Sequence, residues 1–99
     1  MQLQLLSYEA FAGHVRETFS VSLGESSIDI TLVEAKRKPA RVVAGLRAEP
    51  FTLYFKSPSP VLLPQKLYPL SNPGMGKVNI FIVPVAREKD GVIYEAVFN

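Results

Sequence analysis

Cysteine is absent from the 99 residues and histidine occurs once. Without Cys the chain can form no disulfide, no thiol nucleophile and no Cys-ligated zinc or iron–sulfur centre, and a lone His cannot build a polyhistidine metal site. Any metal would need oxygen ligands, and nothing in the sequence calls for a metal or a cofactor. A long apolar run is lacking too. The longest charge-free apolar stretch, Val78 to Ala86, contains Asn79 and Pro84 and falls far short of the ~20 residues of a membrane helix. The start, Met1-Gln-Leu-Gln-Leu-Leu-Ser-Tyr-Glu, has no basic region and reaches Glu9 before an apolar core can develop, which argues against a secretory signal. The expectation is a soluble, cytoplasmic protein with no membrane partner. No internal repeat or low-complexity segment is found.

What is present suits one β domain spanning residues 1–99. A chain that is 47% hydrophobic and 20% charged can bury one unstapled core and has no room for a second. Charge is unevenly placed. Lys36, Arg37, Lys38, Arg41 and Arg47 supply five of the eleven bases within an acid-free stretch, leaving six bases against nine acids, 6 − 9 = −3, elsewhere. A mildly acidic body thus carries one basic segment.

Period-two alternation dominates the chain. Phe19, Val21 and Leu23 alternate with Thr18, Ser20 and Ser22, and Ile28, Ile30 and Leu32 with Asp29 and Thr31, across a polar Gly24-Glu25-Ser26-Ser27 loop. These two strands should pair as a hairpin. After a long irregular stretch from Lys36 to Glu49, Phe51, Leu53 and Phe55 mark a third strand, ended by Ser57-Pro-Ser-Pro. Leu67 to Leu70 reads as a short fourth strand whose Pro69 belongs at an edge or bulge. Asn72-Pro-Gly-Met-Gly then turns into a fifth strand, Lys77 to Ala86, where consecutive apolar residues Ile80 to Val83 predict cover on both faces and Pro84 predicts a bulge or a locally unpaired edge. Asp90-Gly91 turns into the sixth strand, Val92 to Phe98. One or two helical turns are expected near Ser7 to Gly13, with Ser7 as cap. The fold predicted is all-β: a small antiparallel six-stranded barrel or sandwich with a short N-terminal helix. If the sheet stays open, the third strand is the edge expected to add to a partner or a second copy.

Enzymatic signatures are missing. Gly74-Met-Gly-Lys lacks the upstream Gly and the following Ser or Thr of a phosphate loop, and it lies between strands. No Gly-x-Ser-x-Gly elbow occurs, and His14 is expected to bond the last helix carbonyls or to pack as a surface group. Glu88 and Asp90 lie in a polar turn, where ordinary acidity is expected. Glu95 shares a strand face with Ile93 and Val97, which predicts partial burial and a basic partner. Tyr54, on the strand face opposite Phe51, Leu53 and Phe55, is the aromatic that could stack a base beside Lys36, Arg37, Lys38, Arg41 and Arg47.

Four segments are distinctive: Phe11-Ala-Gly-His-Val-Arg-Glu-Thr-Phe, Pro50-Phe-Thr-Leu-Tyr-Phe, Leu63-Pro-Gln-Lys-Leu-Tyr-Pro-Leu, and Ile80-Phe-Ile-Val-Pro-Val through Tyr94-Glu-Ala-Val-Phe-Asn. Over nearly the whole chain they resemble a family of bacterial proteins of about this length, a domain of unknown function. The resemblance implies an accessory or assembly role near phage-tail-like proteins and carries no catalytic residue. The leading expectation is therefore a non-enzymatic interaction module with a protein partner or a second copy. A nucleic-acid-binding barrel using residues 36–47 is the alternative.

Overall fold

In the computed structural model, residues 6–39 and 50–98 are described; Arg41 and Arg47 lie outside them. The elements are α1 (Tyr8–Ala12), β1 (Thr18–Ser22), β2 (Ser27–Arg37), β3 (Phe51–Ser57), β4 (Lys66–Asn72), β5 (Gly76–Glu88) and β6 (Gly91–Phe98). All neighbours are antiparallel, and the sheet closes on itself in the ring order β1-β2-β3-β6-β5-β4. Of the two predicted architectures, the barrel is therefore the one formed. Closure gives every strand a neighbour on each side, although β1 and β4 pair at only two positions.

That closure corrects one expectation. β3 is not an edge: it pairs with β2 from Phe51↔Arg37 to Lys56↔Thr31 and with β6 from Phe51↔Phe98 to Ser57↔Val92. Strand addition at Phe51–Phe55 is excluded by these two ladders.

The alternation read in the sequence sets the inside. Phe19 and Val21 from β1, Ile30 and Leu32 from β2, Phe51, Leu53 and Phe55 from β3, Ile80 and Ile82 from β5, and Tyr94 from β6 are buried. Burying side chains of this size contributes roughly 1.5–3 kcal/mol each. Phe19 meets Phe55 edge to face at 5.5 Å, and Phe51 stacks on Phe98 at 4.5 Å. α1 plugs one end. Ser7 accepts a hydrogen bond from the Ala10 N–H at 3.2 Å, as expected for a helix cap, and Phe11 reaches Phe51 and Phe98.

β2 runs to Arg37, so Lys36 and Arg37 are strand residues rather than part of an irregular connection. A bulge between Leu32 and Glu34 shifts the inward phase by one residue, which is why simple alternation ends at Leu32 in the sequence. Of the bulge or unpaired edge expected at Pro84, the bulge is present, as a register shift between Pro84 and Ala86. The double cover expected for β5 is not: Ile80 and Ile82 point inward, whereas Phe81 and Val85 are exposed. At the β5–β6 turn only glycine fits position 91, because a Cβ there would collide with the Ser57 carbonyl oxygen.

Candidate interaction surface

The basic segment is partly occupied by the fold itself. The Arg37 guanidinium donates to Glu9 at 2.6 Å and lies 4.4 Å from the centre of the Tyr8 ring, so it clamps α1 onto the end of β2. Lys36 and Lys38 are exposed. Tyr54 does not stand among bases: the residues directly opposite it are Glu34 on β2 and Glu95 on β6. Its hydroxyl donates to Glu95 at 2.9 Å, and this bond, reinforced by burial, raises the Tyr54 pKa. Glu95 is thus partnered, but by a phenol rather than the expected basic side chain. The cation on the same face of β3, Lys56, is engaged by Glu88 and Asp90 instead.

The same wall carries a second anchor. Lys56 reaches Asp90 at 3.0 Å and Glu88 at 3.1 Å, tying β3 to the β5–β6 turn. These partners hold the lysine pKa up and, through Lys56, the Asp90 pKa down. Asp90 therefore departs from the ordinary acidity expected of a solvated turn.

Across the barrel, β1 and β4 meet at only Ser20↔Ser71 and Val21↔Leu70. Below these pairs the seam continues through side chains. The buried Asn72 amide donates to the Thr18 carbonyl and to Glu17, both at 3.1 Å, while its oxygen accepts from the Gly74 and Met75 N–H groups. Glu17 also meets His14 Nδ1 at 2.7 Å. The His14 side chain therefore serves this cluster instead of the helix end. Chain reversal before β1 falls at Arg16, in the left-handed region at φ 79°.

Above Leu70 the ladder stops at Pro69, which has no N–H to offer. β1 and β4 part there, and a groove of about 650 Å³ opens between Ser22–Gly24 and the Leu63–Pro69 stretch. Beside it, on the outer wall of β4 and β5, Leu67 stands directly opposite Phe81, with 57% and 51% of their surfaces exposed. Val97 on β6, two residues beyond the Val83↔Glu95 pair, extends the apolar stripe. From residue 50 to residue 87 the chain contains Lys56, Lys66, Lys77 and Arg87 and no acid. This wall escaped the sequence reading because Phe81 sits in the run Ile80 to Val83, which reads as buried on both sides; the gap in the acids was the available signal.

Among the described residues no three His, Asp or Glu side chains are grouped to hold a metal ion, and no helix is long and apolar enough to cross a membrane. The geometry defines a class: a small, closed, six-stranded antiparallel barrel with a filled interior and its distinctive features on the outer wall. The chain belongs to the family described as Domain of unknown function (DUF6916), whose profile matches residues 6–98. No curated protein and no solved structure matches it.

Proposed function

We propose that the protein is a non-enzymatic interaction or assembly module whose docking face is the β4–β5 wall. The observation that carries this reading is the directly opposed, half-exposed Leu67–Phe81 pair within a stretch, residues 50 to 87, that contains no acid. Exposed apolar clusters of this kind rimmed by polar residues mark contact surfaces. The interior is filled by side chains, which suits a scaffold presenting its outside. An accessory role in a phage-tail-like assembly, suggested by the sequence resemblance, is one setting for such a module.

A photo-crosslinking phenylalanine analogue at position 81, compared with one at Val33 on the diametrically opposite strand β2, tests the reading in native cells. A discrete protein adduct is expected from position 81 and none from position 33, and Leu67→Lys should abolish it. Equal labelling from both positions, or no adduct from position 81, would overturn the reading.

A further inference from the structure

Although the ring is closed, one stretch of it is an edge. Lys66, Leu67 and Tyr68 pair with β5 through Ile82, Phe81 and Ile80, while β1 reaches β4 only at Leu70 and Ser71. Among the described residues no other backbone partner lies along 66–68, so the N–H and C=O groups directed away from β5 have no strand beside them. The about 650 Å³ groove occupies this gap, with Leu23 and Leu67 as exposed apolar walls and Lys66 at its mouth. An isolated edge of this kind is a template for one more strand.

We infer that the groove between the end of β1 and the start of β4 takes an extended, acidic-apolar peptide segment of a partner protein by strand addition. This deepens the docking reading above and rests on it. Main-chain bonds to residues 66–68 would give the segment its register. Alternate apolar side chains would lie against Leu23 and Leu67, and a carboxylate would meet Lys66. Charge selects this occupant over a second copy of the chain. The groove lining holds one cation and no acid, Glu25 lying outside it in the β1–β2 turn. A two-fold contact through the same edge would set Lys66 near its own copy, and like charges juxtaposed at an interface cost affinity.

The probe is a fluorescent peptide, Glu-Val-Thr-Val-Glu-Val-Thr, titrated into the intact protein alongside its Lys-for-Glu counterpart and a version with Pro at the central Val. The expected result is saturable binding of the acidic peptide, at least tenfold weaker binding of the other two, and amide shift changes centred on residues 22–24 and 66–68. Leu67→Asp and Lys66→Glu should each weaken binding at least tenfold while leaving the amide spectrum folded. Absence of binding, equal binding of all three peptides, or shifts centred elsewhere would overturn strand addition. Concentration-dependent dimerisation abolished by Leu67→Asp would overturn the peptide in favour of a second copy. A position-81 crosslink that persists while the peptide fails would leave the docking wall standing and remove only this mode of occupying it.

Discussion

The β3–β6 seam and the β1–β4 seam close the same ring by different means. The first runs in register from Phe51↔Phe98 to Ser57↔Val92 and is fastened at intervals by the Phe51–Phe98 stack, the Tyr54–Glu95 bond and the Lys56–Asp90 pair. The second has two ladder positions, a side-chain network below them and an open groove above. Backbone pairing and large aromatic burial are cooperative and hard to open locally. Side-chain bonds at a partly exposed strand end are opened more easily. The difference puts rigidity on one side of the barrel and accessible backbone on the other, beside the exposed Leu67 and Phe81.

The sharpest way to break this contrast is to remove mass from the strong seam. Phe51 is fully buried among Phe11, Phe98 and Tyr8, and Phe51→Ala should cost about 3–5 kcal/mol, read as a shift in the urea midpoint. A loss below about 1.5 kcal/mol would mean that this end is not where the barrel is held. At the weak seam, Asn72→Ala removes four hydrogen bonds from a buried amide and should cost about 2 kcal/mol. Its signature is local. Amide exchange should accelerate at Ser20, Val21 and Ser71 well before it does along Phe51–Ser57, and uniform acceleration would erase the distinction between the seams.

The strands of the strong seam were legible in the sequence, although their pairing with each other was not. Phe51, Leu53 and Phe55 alternate without interruption, and the Asp90-Gly91 turn fixes β5 against β6, so strands, hairpins, the all-β class and the helix cap at Ser7 follow from period and turn chemistry. Closure did not follow, because β1 meets β4 through residues some fifty positions apart and no local pattern encodes so long a pairing. The bulge at Leu32/Glu34 hid the second half of β2 by reversing its phase, and the acid–phenol pair of Tyr54 and Glu95 depends on register between β3 and β6. The basic segment, obvious as composition, divides in the fold into a structural clamp at Arg37 and exposed Lys36 and Lys38.

A smaller effect probes an imperfection in the strong seam. Thr52 lies between Lys36 of β2 and Val97 of β6, is buried, and its hydroxyl has no hydrogen-bond partner among the described residues. An unsatisfied buried hydroxyl is costly, and a methyl of similar shape removes the cost. Thr52→Val should therefore stabilise the protein by about 1 kcal/mol, raising the melting temperature by about 4 °C. A lower melting temperature would show that the hydroxyl is satisfied.

The smallest expected effect concerns acid. Glu17 accepts from His14 at 2.7 Å and Asn72 at 3.1 Å, and these two bonds, His14 foremost, hold its pKa below the ordinary glutamate value. A carboxylate whose pKa is lower folded than unfolded stabilises the fold when ionised, so the contribution is present at neutral pH and is lost as pH falls below about 4.3 and through the folded value. Glu17 is about half exposed, with 45% of its side-chain surface accessible, and solvent and salt screen what it contributes. Glu17→Gln should lower the urea midpoint slightly at pH 6, and the gap to the wild-type protein should close by pH 3. Amide exchange should place the acid-dependent part at Ser20 and Ser71. A gap that stays constant across that range would show that the hydrogen-bond geometry of residue 17, rather than its charge, supports the short seam.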